Sequence, residues 1–374
     1  ESFKHFRFLE SQQAKILETQ ADEDVFRHAL QRFPRLRRVT VTPAAHGYLF
    51  EPLYQTPMIR SLPYGFIYPI PRGWPLRETG QSWPIAPPWT GNDATEEEKN
   101  QWRGFRIVTK ILAEDDHHIS ELIFDSHQLG TGINHMALDQ PTQEYKDLCK
   151  IIERPGFRHI QMSLLIGYLR DDGEAEDWDT YRNGYLRNAL AGAPNIEHVS
   201  LQTDYCNIRE TSGGGMDDFV SLFDIFPIDC WTKVRHFGLS GMQVTQENLV
   251  SFLAKLPPTL RSVELSFLGF LSEQGHYRGL LEDIRDRLDW RNRPIDERIE
   301  IRVNIVYNQR DPGRYVCLDK EVQEYVYGDG PPPFLRGRVG DSCITDGTGT
   351  QKDEFNPHWE RPYDSPITLR KLGY

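Results

Sequence analysis

No apolar run in this chain approaches the roughly 18 to 20 residues that cross a bilayer, and the opening ESFKHFRFLE is too charged for a signal-peptide core. Both absences argue for a soluble chain. Cysteine is scarce: Cys149, Cys206, Cys230, Cys317 and Cys343 are an odd number and include no C-x-x-C pair. That argues against a disulfide framework and for a reducing compartment. No Asn-x-Ser/Thr sequon occurs, which agrees with a cytoplasmic or nuclear location. Positive charge is also short, with 43 Lys and Arg against 55 Asp and Glu, for a net charge of -12. A field of that sign repels nucleic acids and anionic membranes, so neither is an expected partner.

Catalytic signatures are missing as well. The chain holds no G-x-x-x-x-G-K-[ST], no H-E-x-x-H and no G-x-S-x-G; GLSGM at 238–242 has the wrong spacing, and GTGIN and SGGGM complete no dinucleotide fingerprint. DDGEAEDWD at 171–179 lacks the calcium-loop spacing and reads as a solvated loop. His117 and His118 beside Asp115 and Asp116 could supply acid–base groups, but a polar turn before a strand explains them equally well. No catalytic residue, metal or cofactor is assigned.

What the chain does have is a recurring phrase. FPRLRRVTV (33–41), HISELIFD (118–125), FRHIQMS (157–163), NIEHVSLQ (195–202), KVRHFGLS (233–240) and TLRSVELS (259–266) each read apolar-x-x-apolar-x-apolar, and RIEIRVNIV (298–306) is a looser seventh copy. Taking Val39, Leu122, Ile160, Val199, Phe237, Val263 and Val303 as markers, the separations are 83, 38, 39, 38, 26 and 40 residues. Periods of about 20 to 50 residues are the signature of a solenoid.

Between the phrases lie helical patterns: residues 93–115, 143–153, 177–191, 216–226, 245–256 and 277–290. Thr245 is placed to cap one of them, and Pro257-Pro258 ends it, because proline disfavours helix at the preceding residue. A strand–helix unit of this size cannot bury both its apolar faces alone, so neighbours must stack. The expected fold is α/β: a leucine-rich-repeat-like solenoid, with parallel strands on the concave face and helices on the convex face. A doubly wound open sheet is the alternative, but alternation within each phrase points to a sheet covered on one side only.

Period-2 alternation sends the residues between the markers out of the concave face. One outward column reads Arg38, Glu121, His159, His198, His236 and Ser262; a second includes Gln161 and Glu264; a third includes Asp125 and Gln202. With strands about 4.8 Å apart, the three histidines form a ladder. Parallel side chains do not converge on one metal ion, which leaves a stacked repeat position or a titrating, ligand-binding patch.

Two regions break the pattern. Pro43 to Trp89 carries ten prolines and nine large aromatics without periodicity, among them Tyr64, Phe66, Tyr68, Trp74, Trp83 and Trp89. This insertion, 43–92, reads either as a cap on the first repeat or as a lip presenting aromatic anchors to a partner. Residues 307–374 follow the last phrase and read as an irregular cap on the solenoid, which itself occupies 1–306.

The run WTKVRHFGLSGMQVTQENLVSFLAKLPPTLRSVELSFLGF, with YRGLLEDIRDRLDWRNRP, RYVCLDKEVQEYVYGDGPPPF and MIRSLPYGFIYPIPRGWP, resembles a family of filamentous-fungal leucine-rich-repeat proteins grouped with F-box proteins. The resemblance implies a substrate receptor of a ubiquitin ligase, joined to a Skp-type adaptor through an N-terminal F-box helix bundle. Residues 10–33 read as a single helix, so that bundle either lies upstream of Glu1 or is absent from this member. The expected function is protein recognition on the concave face. The competing expectation is an enzyme or small-molecule sensor, with a pocket between that face and the aromatic insertion.

Overall fold

The computed structural model describes residues 2–43, 74, 86–166, 178–204, 219–306, 313–335, 344–345, 347–354 and 359–360. Tyr64, Phe66, Tyr68 and Trp83 lie outside the described residues, as do Cys206, Cys343 and residues 171–177. The strands in chain order are β1 (Arg38–Val41), β2 (Glu121–Phe124), β3 (Ile133–Asn134), β4 (His159–Leu165), β5 (His198–Thr203) and β6 (His236–Ser240). They continue as β7 (Gln243–Val244), β8 (Ser262–Ser266), β9 (Gly269–Phe270), β10 (Glu300–Arg302), β11 (Asn304–Val306), β12 (Arg314–Cys317) and β13 (Thr350–Asp353).

The main sheet runs β1-β2-β4-β5-β6-β8-β10, each strand parallel to the next, with β3 paired beside the end of β4. This order never reverses. A doubly wound sheet must reverse at a switch point, whereas right-handed crossovers in one direction put every helix on the same face. The result is a solenoid of parallel strands lining the concave side and helices on the convex side. β7 and β9 form a small parallel pair at the turn beyond β6 and β8.

The register follows the repeated phrase. Val39, Leu122, Ile160, Val199, Phe237 and Val263 stand directly across from one another. The seventh copy needs a correction: Ile301, not Val303, pairs with Val263. Ile301 and Val303 are both fully buried, and a shift of two residues keeps every side chain on its own face, so alternation alone could not separate them. With Ile301 in place, Glu300 and Arg302 extend the first and second outward columns.

The inward side chains form one continuous core with the helices Arg103–Glu114, Gln143–Ile152, Tyr185–Ala191, Gln246–Ala254 and Tyr277–Arg287. Its centre is aromatic: Phe237 lies 5.1 Å from Phe226 and 5.0 Å from Phe252, ring centre to ring centre. The helix starts are locally encoded. Thr95 makes a capping box with Glu98, Thr142 accepts from the Tyr145 amide, and Thr245 accepts from the Asn248 amide.

The N-terminal helix expected at 10–33 is two helices, Ser2–Thr19 and Ala21–Arg32, separated at Gln20 in the left-handed region with φ 55°. Neither Gly nor Pro marks the break. It lets the second helix lie along Arg103–Glu114, where Arg103 grips Asp22 with two bonds of 2.7 and 2.8 Å and Lys110 reaches Glu23 at 2.9 Å.

The C-terminal segment has more regular structure than its Pro- and Gly-rich sequence suggests. β11, β12 and β13 form an antiparallel sheet that starts one residue beyond the end of β10. The helix Asp319–Tyr327 packs on β10 and on Tyr277–Arg287, with the Tyr327 hydroxyl donating to Ile299 O at 2.8 Å. Phe334 stacks on Tyr277 at 4.9 Å.

Candidate docking face and its cavity

The first outward column stands in register as Arg38, Glu121, His159, His198, His236, Ser262 and Glu300. Glu121 anchors one end, accepting from Arg38 Nε at 2.8 Å and Arg158 Nη2 at 2.9 Å. Burial opposes its ionisation, but these two hydrogen bonds outweigh it and hold its pKa below the ordinary value.

The histidines do form a ladder. The His159 and His198 rings stack at 3.7 Å, and the His198 and His236 rings at 3.9 Å. Ser200 Oγ lies 3.4 Å from His198 Nε2, and Ser262 Oγ lies 2.7 Å from His236 Nδ1. Burial pushes His159 and His236 down to about 4 and His198, crowded from both sides, to about 2. All three are neutral at pH 7. Imidazole lone pairs lie in the ring plane, so stacked rings aim them side by side and not at one point. Among the described residues, no group of three or more His, Cys, Asp or Glu is arranged to hold a metal ion.

Gly238, in the second column between Ser200 and Glu264, leaves room for this ladder. A Cβ there would sit 2.3 Å from Ser200 Oγ and 3.3 Å from His236 Nε2.

The third column is half-buried at Asp125 and closed to solvent further along the sheet. Ser163 and Ser266 are fully buried and Gln202 nearly so. Gln202 donates to Ser126 Oγ at 3.1 Å and to Gln128 Oε1 at 3.0 Å, while the Asn304 side chain and amide both donate to Ser266 Oγ. His127 and Gln128 occupy left-handed backbone, with φ 49° and 59°. The turn they make points back over the sheet towards the C-terminal strands.

Between the concave face and those strands lies a cavity of about 480 Å³. Of the concave-face candidates, Asp125, Gln161, His198, Gln202, His236 and Glu264 line it, whereas Arg38, Glu121 and His159 lie outside it towards β1. Its other walls are residues that no repeat pattern marks, including His127, Arg302, Tyr315, Lys352, Glu354 and Trp359. Arg302 and Glu300, which also lines the cavity, fall into the repeat pattern only once Ile301 takes the marker position.

Of the insertion candidates, only Trp74 and Trp89 are described. Trp89 is 2% exposed, packs edge-to-face on Trp102 at 5.7 Å and donates to Glu144 Oε2 at 3.2 Å. It belongs to the core, not to a surface a partner can reach. Trp74 is half-buried, and its amide donates to Thr131 Oγ1 at 2.9 Å.

No family model matches this chain, and no curated protein matches it. A solved structure similar to it is the leucine-rich repeat-containing protein LegL7 from Legionella pneumophila, at 13% sequence identity, covering 62% of this chain and 79% of that one. The TM-score of 0.28 is too low to carry an argument. The fold assignment therefore rests on strand order and register. Among the described residues, no helix is long and apolar enough to cross a membrane.

Proposed function

We propose that this chain is a protein-recognition scaffold that docks a segment of a partner against its concave face. The observation that carries the reading is the in-register polar face of seven parallel strands opening into a cavity that two separate elements build. Such a face is rigid, because its register is fixed by the buried residues behind it, and preorganised surfaces bind without a large ordering cost. The finer reading, drawn from the family resemblance, is the substrate-binding part of an F-box ubiquitin-ligase receptor, working with a Skp-type adaptor in the cytoplasm or nucleus. On this reading residues 1–306 supply the solenoid and 307–374 the cap.

Affinity capture with crosslinking tests it, comparing the wild-type chain with Gly238→Leu, which fills the second column. Loss of captured proteins with Gly238→Leu, at unchanged helix content by circular dichroism, is the expected result. Capture that is indifferent to that substitution rejects the docking face. Recovery of a Skp-type adaptor and cullin by the natural full-length protein supports the ligase role, and recovery of partners without them rejects it.

One observation favours a second reading, a small-molecule sensor. The cavity volume falls within the roughly 300–1,000 Å³ usual for ligand pockets. A small metabolite retained by the purified chain and detected by native mass spectrometry would favour that reading.

A further inference from the structure

The cavity on the concave face has an excess of negative charge. Asp125, Glu264, Glu300, Asp319 and Glu354 line it, against Arg302, Lys352 and His127. Two of the cations are already engaged within the wall. Arg302 bonds Glu300 at 2.8 Å, and Lys352 lies 3.9 Å from Glu354. Glu264 is different. Its only hydrogen bond among the described residues is from Ser266 Oγ at 3.1 Å, and no cation stands within 4 Å of it. Burial raises its pKa, and the charges of Arg302, its neighbour in register on β10, and Lys352 oppose that rise without cancelling it.

A second feature is independent of this charge. Ser240 faces the cavity from the outward side of β6 and is 7% exposed, yet its hydroxyl has no hydrogen-bond partner among the described residues. Buried hydroxyls are normally satisfied, because an unpaired one costs about 1 to 3 kcal/mol. His198 and His236, which line the same cavity further back along their strands, are neutral at pH 7 and add no positive charge to it. Tyr315 and Trp359 complete the wall, with the Lys352 ammonium held over their rings at 5.4 Å and 5.7 Å from the centres.

We infer that this cavity receives a basic side chain, arginine or lysine, from the docked partner, with Glu264 as its counter-charge and Ser240 as an additional hydrogen-bonding group. The inference rests on the docking reading above. It supplies the specificity that reading lacks, since a rigid polar face selects partners chiefly by the charges it leaves unpaired.

The test selects peptides from a random library displayed on phage against the full chain, then measures binding of the selected peptides by fluorescence anisotropy. Selected sequences are expected to share a basic residue at one position. Replacing that residue by its neutral analogue, citrulline for arginine or norleucine for lysine, is expected to weaken binding about tenfold, the scale of one charge-assisted hydrogen bond. Glu264→Gln should cause the same loss and make the paired peptides bind alike. Ser240→Ala should weaken binding a few-fold without changing any charge. Glu247→Gln on the helical side is the control and should change nothing.

Selected peptides without a shared basic residue, or a basic preference that survives Glu264→Gln, overturn the inference while leaving the docking face intact. If no peptide binds, titration with free arginine and with spermidine decides between the parts. Binding that depends on Glu264 keeps the cation site and removes protein docking; no binding removes both. Thermal melting of each variant, expected to match the wild type, separates lost binding from lost fold.

Discussion

Glu354 Oε1 stands 3.7 Å from His127 Nδ1, joining the end of β13 to the turn that follows β2. Glu354 Oε2 also accepts from the Tyr315 hydroxyl at 2.7 Å. Burial works against protonation of His127, but Glu354 and Asp125 outweigh it and raise its pKa. Burial likewise works against ionisation of Glu354, and His127 and Tyr315 outweigh it and lower its pKa. The two groups thus hold each other in their charged forms, and the cavity keeps its far wall.

Glu354→Gln is expected to loosen that wall. Amides of β12 and β13 should exchange with solvent about tenfold faster, a local loss of about 1.4 kcal/mol, while those of β4 to β6 remain as protected as before. The His127 contribution is complete below its unfolded pKa of about 6.5 and fades as pH rises through its raised folded value. The difference between variant and wild type should therefore shrink at alkaline pH. Equal exchange in the two proteins at pH 6 would rule out the clamp.

The histidine ladder predicts acid sensitivity of the opposite sign. His159, His198 and His236, and the fully buried His135 beneath Tyr181, all have folded pKa values pushed down by burial, to about 4, 2, 4 and 4 respectively. A lowered imidazole pKa contributes stability above the unfolded value near 6.5 and loses it as pH falls towards the folded value. Calorimetric Tm should therefore fall steeply between pH 6.5 and 4. His135 alone accounts for about 3 kcal/mol at the lower end of that window. His198→Asn should make the slope shallower by about one proton, and an unchanged slope would show that the ladder does not titrate on unfolding.

Gly132 sets the approach of β3 to β4. A Cβ there would lie 2.5 Å from Ser163 O and 2.6 Å from the Leu164 carbonyl carbon, both backbone atoms that cannot rotate away. The Gly132 carbonyl also accepts the Trp102 indole N–H at 2.9 Å. Gly132→Ala is expected to cost more than about 3 kcal/mol in urea unfolding. Gly156→Ala, where an added Cβ meets nothing within 4 Å, should stay within about 0.5 kcal/mol. Similar unfolding midpoints for both variants would contradict the close packing.

Phe237 is the marker residue of its repeat, fully buried between Phe226 and Phe252. Phe237→Ala should cost about 3 to 5 kcal/mol, combining lost apolar burial with the cavity left behind. Because neighbouring repeats share this core, the loss should appear in one cooperative transition. A change below about 1 kcal/mol would place the ring outside the shared core.

Six of the seven main-sheet strands were legible in their register, because one-sided burial fixes which residues face inward and the period returns the same phrase. The seventh was displaced by two residues, since Ile301 and Val303 satisfy the same alternation. The histidine ladder followed from the repeat alone: strands in register must bring His159, His198 and His236 side by side. Gln20 carried no comparable signal, because its left-handed backbone serves packing of Ala21–Arg32 on a helix far along the chain.

The sequence by itself determined the solenoid, its inward rows and the residues of its outward columns, all of which depend on short-range periodicity. Only the tertiary structure decided that the C-terminal strands face those columns across a cavity and that Glu354 meets His127. That arrangement depends on the path of a non-repeating segment and on two left-handed residues after β2, and neither has a period to read.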